Sequence, residues 1–195
     1  MGQSSADRRS LGDVIRGRHS EILEVDALGR RGDERQLRER LSSPTVETGV
    51  LVRGEAALEL ARLGNSEGVP QIAELFKSSR VSVRFSAAAA LGNLSGPGVV
   101  EALASGLSDE SDVVVSRVAQ SLGEAGGESA VTALAGLFAN SDAGLRLDAV
   151  RALGASNHGS AVGLLRTALT DDSWRVRRAA RKELRVFNYS FHGRH

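Results

Sequence analysis

The chain has 195 residues, of which 41% are hydrophobic and 25% charged, a composition typical of one folded domain with a continuous core. It contains no Cys, which excludes disulfides, thiolate nucleophiles and Cys-ligated zinc. No run of about 18 apolar residues predicts a membrane span, and the charged first residues do not resemble a secretory signal. We therefore expect a cytoplasmic location and no contact with a membrane.

The net charge of +1 hides an asymmetry along the chain. Residues 41–173 carry nine Arg or Lys against fifteen Asp or Glu, a net charge of −6. From Trp174 onward, seven basic residues stand against Glu183 alone, a net charge of +6. Clustered charge of one sign attracts opposite charge over roughly a Debye length, so this end favours an acidic partner.

The N-terminal part is predicted to contain a flexible leader, residues 1–16, followed by two helices over residues 20–29 and 33–41. Leu37 and Leu41 lie on one face of the second of these helices. The apolar spacing is less regular than in the rest of the chain. We interpret the segment to about residue 45 as a degenerate repeat that caps the array.

A period of 31 residues dominates residues 46–187. Two series of apolar residues follow it: Val52, Val83, Val114, Leu145 and Val176, and Leu60, Leu91, Leu122, Leu153 and Leu184. A fixed period of this length is typical of supersecondary units that bury their apolar faces only by stacking on their neighbours. The sequence therefore predicts a repeat array.

Each period contains two helical patterns. The first helix shows apolar residues at offsets of three, four and seven, as in Val69, Ile72 and Phe76. The second helix ends in a Leu-Gly pair, and the Gly recurs at Gly92, Gly123 and Gly154. Because Gly costs about 1 kcal/mol in a helix interior, we expect a neighbouring helix to approach closely at these three positions.

Gly and short polar residues predict the helix ends. Gly64, Gly96 and Gly127 are expected to end second helices, and Pro97 to begin the next first helix. Short polar pairs fall between the two helices of each hairpin, where their side chains are expected to cap the second helix. These pairs are Ser78-Ser79, Ser108-Asp109, Asn140-Ser141 and Thr170-Asp171.

The last repeat closes the array. Trp174 begins a charged helix that is predicted to run to Val186 and to present a polar outer face, as terminal repeats require. Residues 188–195 are predicted to form a tail.

The pattern Val83-Arg84, Ala87-Ala88 and Ala90-Leu91-Gly92 resembles the HEAT-like repeats of the phycobilisome-lyase type. The resemblance implies an all-α fold, a right-handed α-α superhelix (HEAT/armadillo-like solenoid) of about five helical hairpins, forming one domain over residues 17–187.

The same resemblance implies a ladder between repeats, in which an Arg that opens a second helix pairs with an Asp of a hairpin turn. The Arg positions are Arg53, Arg84, Arg146 and Arg177, whereas the third copy has Val115. Asp109 and Asp171 are the turn acids, and Ser78 and Asn140 stand at the equivalent places. A ladder broken at Val115 predicts a softer stack around the third repeat.

No catalytic, metal or cofactor site is predicted. His19, His158, His192 and His195 form no motif, and the chain has no His-Glu dipeptide of the kind that binds iron in HEAT-like hydroxylases. His158 is expected in a solvated loop between repeats. The Ser residues fall at predicted caps and turns, where no base or oxyanion site accompanies them. The segment from Gly92 to Gly96 follows a helix rather than a strand, so it does not predict a phosphate loop.

The resemblance implies that second helices line the concave side, so their outward residues are predicted to form one continuous groove. Phe85 and Leu147 are the expected anchors, since apolar residues on a polar groove are typical of a binding patch. The predicted groove comprises Glu55, Phe85, Ser86, Asn93, Arg117, Gln120, Glu124, Leu147, Asp148 and Arg151.

Three functional hypotheses follow. The favoured one is a non-catalytic scaffold or adaptor that binds a protein or peptide partner in the groove. The second is a lyase-like or chaperone-like factor that positions a chromophore or prosthetic group, which the resemblance allows. The third is a nucleic-acid binder, in which Trp174 and Tyr189 stack on bases and a basic stripe binds phosphate, although the acidic middle of the array disfavours it. That stripe comprises Arg178, Arg181, Lys182 and Arg185. The sequence leaves the oligomeric state open.

Overall fold

The structure is a computed structural model. It describes the backbone of residues 11–42, 50–96 and 98–192, and the side chains of residues 20–42, 52–96 and 98–187. Within these ranges the regular structure is entirely helical. The α-helices are α1 (Leu11–Arg31), α2 (Glu34–Ser42), α3 (Val50–Arg62), α4 (Val69–Glu74), α5 (Val81–Gly92), α6 (Val99–Ser105), α7 (Asp112–Ala125), α8 (Gly127–Ala135), α9 (Ala143–Ala155), α10 (Ala161–Thr167) and α11 (Trp174–His192).

Five hairpins follow one another in the described part of the chain: α2–α3, α4–α5, α6–α7, α8–α9 and α10–α11. A short 3₁₀ turn extends each first helix from α4 onward, namely Leu75–Lys77, Gly106–Ser108, Gly136–Ala139 and Ala168–Thr170. The helices α3, α5, α7, α9 and α11 contact one another in sequence and form the second-helix layer. The predicted all-α solenoid of about five hairpins is therefore confirmed.

The N-terminal helices pair differently from the prediction. The two predicted helices were expected to form one cap repeat, but α2 is the hairpin partner of α3, and α1 packs on α3 as a further member of the second-helix layer. The sequence of α1 explains this place, because Leu28 and Gly29 repeat the Leu-Gly pair of the other second helices.

Two helices extend beyond the helical ranges predicted from the sequence. Helix α1 begins at Leu11, inside the predicted leader, and no Pro interrupts it as far as Arg31, so the helix propagates once it has nucleated. Helix α11 continues to His192, through most of the predicted tail. Phe187 is only 3% exposed and secures this end of α11 to the core. Residues 1–10 and 193–195 lie outside the described residues.

The core follows the predicted register. Leu60, Leu91, Leu122 and Leu153 are all 0% exposed, and they form part of one continuous cluster that runs through the hairpins. Each buried Leu contributes about 1.5–3 kcal/mol relative to an exposed one. The core is therefore shared between neighbouring repeats.

The Gly residues of the second helices lie where helices cross closely, as predicted. A Cβ atom on Gly123 would lie 2.7 Å from the carbonyl oxygen and 2.8 Å from the Cα of Ala152 on α9. Gly92 lies equally close to Ser121 on α7, and Gly154 to Glu183 on α11. At the equivalent position α3 has Ala61 instead, and α3 and α5 contact each other less than the later pairs do.

A carboxylate is buried between α1 and α3, the first two helices of the second-helix layer. Glu59 on α3 lies against Gly29 of α1 and is only 3% exposed. Its Oε1 accepts a hydrogen bond from Nη1 of Arg62 at 2.6 Å. Burial raises the pKa of Glu59 above its ordinary value, and the positive charge of Arg62 opposes that shift.

The helix ends correct three predictions. Helix α5 ends at Gly92, four residues before Gly96. Gly126, with φ of 67°, ends α7, while Gly127 is the first residue of α8. Pro97 lies outside the described residues. The predicted capping pairs do not cap the second helices: Ser111 at the start of α7 makes no side-chain cap, and α9 is capped by Asp142, which accepts from Gly144 and Leu145.

The turn side chains instead bind the backbone two residues further on. Asp109 Oδ1 accepts from the amide of Ser111 at 2.9 Å, and Asn140 Oδ1 accepts from that of Asp142 at 2.8 Å. This bond closes a turn ahead of the helix, which is the ordinary local use of such side chains.

Two rungs of the predicted ladder are present. Arg84 Nε and Nη2 donate to the two carboxylate oxygens of Asp109 at 2.7 and 3.0 Å, and Arg146 binds Asp171 in the same way at 2.8 and 3.0 Å. The hydrogen bond from Arg146 lowers the pKa of Asp171. Val115 takes the place of the missing Arg and is buried in the core cluster. The softer stack around the third repeat stays a prediction.

Candidate functional site

Among the described residues, the second-helix layer has a central, an N-terminal and a basic cleft. The central cleft, of about 590 Å³, lies between α5, α7 and α9. The N-terminal cleft, of about 400 Å³, lies between α3 and α5, where the two helices contact each other less. The basic cleft, of about 1060 Å³, lies along α9 and α11. The central cleft is lined by Phe85, Val113, Ser116, Arg117, Gln120, Glu124, Asp148, Arg151, Ala152 and Ala155.

One wall of the central cleft combines an aromatic ring with a cation. Phe85 is 38% exposed, and the guanidinium carbon of Arg117 lies 6.0 Å from the centre of its ring, which is within the range of a cation–π contact. Arg117 Nη1 donates to Gln120 at 3.1 Å, and Gln120 Nε2 donates to Glu124 at 2.8 Å. These residues are one helical turn apart on α7, so the three polar side chains form a continuous row.

The opposite wall presents a carboxylate and a second guanidinium. Asp148 on α9 accepts a hydrogen bond from the Ser116 hydroxyl at 2.6 Å, which links α7 to α9. Its other oxygen lies 3.4 Å from Nη1 of Arg151, a side chain that is 63% exposed. The central cleft therefore offers an apolar surface with charges of both signs around it.

Val113 has the largest exposed fraction among the large apolar side chains of this cleft, and the sequence analysis did not predict its role. It is 60% exposed, whereas its neighbours Val114 and Val115 are buried. The signal was the run of three Val residues, because a helix cannot turn three consecutive side chains toward one core.

The predicted groove residues divide among the three clefts. Phe85, Arg117, Gln120, Glu124, Asp148 and Arg151 line the central cleft. Glu55, Ser86 and Asn93 line the N-terminal cleft, where burial raises the pKa of Glu55. Leu147 lines the basic cleft but is partly buried and packs against the core, so Phe85 and Val113 are the exposed apolar residues at the centre of the layer.

The four predicted anion-binding residues share the basic cleft. Arg178, Arg181, Lys182 and Arg185 line it together with Trp174, which is 59% exposed, and Val186, which is 50% exposed. Among the described residues, Lys182 alone of the four lies within ion-pairing distance of an acid, at 3.5 Å from Glu183. The side chain of Tyr189 lies outside the described residues.

The remaining candidates for chemistry are dispersed. His158 lies in the loop between α9 and α10, as predicted, and its Nδ1 is 2.7 Å from the hydroxyl of Ser160. The side chains of His19, His192 and His195 lie outside the described residues. Across the part of the chain that the structure describes, no group of three or more His, Asp and Glu side chains is placed to hold a metal ion. None of the described helices combines the length and the apolar character needed to cross a membrane.

A model of HEAT repeats matches residues 37–123, 72–149 and 134–189. The chain therefore belongs to the HEAT-repeat family, which confirms the resemblance found in the sequence. A search of curated protein sequences finds no relative.

Solved structures share this fold at low identity. Human deoxyhypusine hydroxylase in complex with glycerol is 23% identical over 87% of this chain and 66% of its own, with a TM-score of 0.58. The complex of CpcE and CpcF of phycocyanin lyase from Nostoc sp. PCC7120 is 23% identical over 79% of this chain and 64% of its own, with a TM-score of 0.56. This chain thus spans just under two thirds of each of these relatives.

A designed armadillo repeat protein in complex with the peptide (KR)4 is 17% identical over 95% of this chain and 96% of its own, with a TM-score of 0.53. At these identities the similarities establish the fold of the chain and no more than the fold.

Proposed function

We propose that this chain is a non-catalytic scaffold that binds an extended segment of a partner protein in the central cleft. The observation that carries the proposal is the exposure of two large apolar side chains, Phe85 at 38% and Val113 at 60%, in a cleft with a polar rim. Exposed apolar surface bordered by polar groups is characteristic of protein interaction sites.

The size and polarity of the central cleft favour a peptide. Its volume of about 590 Å³ accommodates a few side chains rather than a whole helix, so one apolar anchor with its flanking backbone fits. Gln120, Glu124, Asp148 and Arg151 provide both donors and acceptors along the rim.

The comparisons support a binding role in general terms. Armadillo-like arrays bind peptides, as the designed protein in complex with (KR)4 does, and CpcE and CpcF form a complex with each other. The cleft of this chain carries both charge signs, so we expect a partner segment with an apolar anchor and mixed charge rather than a purely basic one.

Capture from the native lysate tests the proposal, with partners identified by mass spectrometry. The test variant is Phe85→Ser/Val113→Ser. The matched control is Leu63→Ser/Val81→Ser, which removes two apolar side chains of 38% and 43% exposure that line none of the three clefts. We expect a partner that wild type and control retain and the test variant loses, while both variants keep the helical circular dichroism of wild type.

Other outcomes of the same capture contradict the proposal. A partner that all three proteins retain equally would exclude the central cleft as its site. A co-purified pigment with visible absorbance would favour a factor that positions a chromophore. Recovery of nucleic acid alone would indicate the basic cleft as the binding site.

A further inference from the structure

The face of α11 that corresponds to the stacking face of inner helices is built differently. On α5 this face contains Arg84, Ala88 and Gly92, and on α9 it contains Arg146, Val150 and Gly154. The equivalent residues of α11 are Arg177, Arg181 and Arg185. Small residues allow the next helix to approach closely, as Gly92 and Gly154 do, whereas two Arg side chains prevent that approach. Arg181 and Arg185 are accordingly exposed.

Arg177 repeats the geometry of the two ladder arginines, with one half of its guanidinium unused. In Arg84 and Arg146, Nη1 donates to a carbonyl of the preceding turn, Ser78 or Asn140, at 2.8 and 2.9 Å. Their Nε and Nη2 atoms hold the carboxylate of the next repeat.

Arg177 Nη1 donates to the equivalent carbonyl, that of Asp171, at 2.6 Å, and to that of Asp172 at 2.8 Å. Among the described residues, no carboxylate contacts its Nε or Nη2. The turn therefore orients this guanidinium as it orients the two that bind Asp, which is the fork geometry suited to a bidentate carboxylate.

The surroundings of Arg177 favour an acidic ligand with an apolar residue. Arg178, Arg181 and Arg185 form no ion pair among the described residues, and the one acid that lines the basic cleft with them, Glu183, lies 3.5 Å from Lys182, so basic groups outnumber acidic ones there. Trp174 lies one turn before Arg177 and Arg178 and is 59% exposed. Charge of one sign steers an oppositely charged partner, and an exposed aromatic side chain anchors an apolar group.

We infer that α11 is a second docking site, at which an acidic segment of a partner protein places one carboxylate on the free side of Arg177, further carboxylates on Arg178, Arg181 and Arg185, and an apolar side chain on Trp174. A polypeptide is favoured over nucleic acid because the same guanidinium geometry binds Asp side chains twice within this chain. The site is separate from the central cleft and does not depend on the function proposed for that cleft.

Fluorescence anisotropy of a labelled peptide composed of Asp, Glu and Leu tests this inference on the full chain. Arg177→Lys keeps the charge but removes the fork, so we expect it to weaken binding by about three- to tenfold. Arg178→Ala/Arg181→Ala/Arg185→Ala removes three charges and is expected to abolish most of the binding. Arg166→Ala, an exposed Arg on α10, is the matched control and should bind as wild type does.

Folding and site identity are checked in the same series. The triple variant changes exposed residues and should retain its helical circular dichroism, which separates loss of binding from loss of folding. Phe85→Ser/Val113→Ser should bind the acidic peptide as wild type does, because those residues line the central cleft.

Three results would overturn the inference. Equal binding of the peptide by wild type and Arg177→Lys would show that a positive charge at residue 177, without the guanidinium fork, is sufficient for binding. Binding of a thymidine oligonucleotide, without binding of the peptide, would identify phosphate as the ligand. Concentration-dependent self-association that the triple variant loses would identify a second copy of this chain as the occupant.

Discussion

The close approach of α7 and α9 at Gly123 leads to a quantitative prediction. A Cβ atom at residue 123 would lie 2.7 Å from the carbonyl oxygen and 2.8 Å from the Cα of Ala152, both of them backbone atoms that cannot rotate away. In Gly123→Ala the two helices must therefore separate. Overpacking of this kind costs about 1–3 kcal/mol, while the higher helix propensity of Ala returns about 1 kcal/mol.

Gly163→Ala isolates the steric part of this effect. Gly163 lies within α10 and is exposed, and beyond its chain neighbours and the backbone of its own helix no atom lies within 4 Å of the place where a Cβ would be. The same substitution there gains helix propensity without a clash, so it should stabilise the protein by up to about 1 kcal/mol. Subtracting one variant from the other cancels the propensity, and the difference should be about 1–3 kcal/mol in favour of Gly163→Ala.

Urea unfolding followed by circular dichroism measures both variants against wild type. For a chain of this length, each kcal/mol corresponds to a shift of about 2–4 °C in thermal midpoint, which a melting experiment resolves. A difference between the variants below about 0.5 kcal/mol would refute the argument, since surface substitutions alone vary by that much. Gly at position 123 would then need another explanation than helix approach.

Three further predictions concern charged and ladder positions. Asp109→Asn should lower the melting temperature more than Asp171→Asn, because Asp109 and its Arg partner are each 4% exposed, whereas the other pair is 9% and 14% exposed. Val115→Arg alone should destabilise the chain, because it buries an unpaired charge. Adding Asn140→Asp should recover part of that stability by forming a new rung of the ladder. A double-mutant cycle that shows no coupling between the two substitutions would contradict this. Glu59→Gln should stabilise the protein at neutral pH by about 1 kcal/mol or less, because burial disfavours the ionised form of Glu59 in the folded state. As the pH rises from the ordinary pKa of Glu to the raised one, the unfolded chain ionises first and wild-type stability falls, so the advantage of Gln should grow across that window and disappear below it. Glu128→Gln, which removes the same charge at an exposed position, is the control.

The sequence carried enough information to predict the repeat and its close contacts. The Leu series from Leu60 to Leu153 requires a shared core, and Gly92, Gly123 and Gly154 incur a helix-propensity cost that only a packing contact explains. The same contact constrains these positions in successive copies, so their period of 31 residues follows from the structure. The outward Phe85 was predictable from the same register.

The parts that could not be predicted depend on contacts outside that period. The start of α1 at Leu11 is decided by helix propagation, and the end of α11 by burial of Phe187, neither of which has a counterpart in other copies. The turn residues were assigned to caps because Ser, Asn and Asp serve caps and turns equally well. Only geometry separates the two uses, as Asp109 and Asp142 show.

The charge asymmetry of the sequence acquires a structural meaning at the end of the array. In α5 and α9, the residue after the buried Leu is Gly, which permits the next helix to stack, and the ladder Arg is neutralised by the next turn. In α11, Arg185 replaces that Gly, and Arg177 keeps the orientation of a ladder Arg without an acid in the described chain to neutralise it. The same substitutions that prevent a further close-packed helix therefore leave a row of oriented guanidinium groups exposed. An end face that merely needed solubility would be served by basic and acidic residues in equal measure, whereas the four arginines of this face have no acidic partner among the described residues, and that excess of positive charge is the physical reason to expect an acidic ligand there.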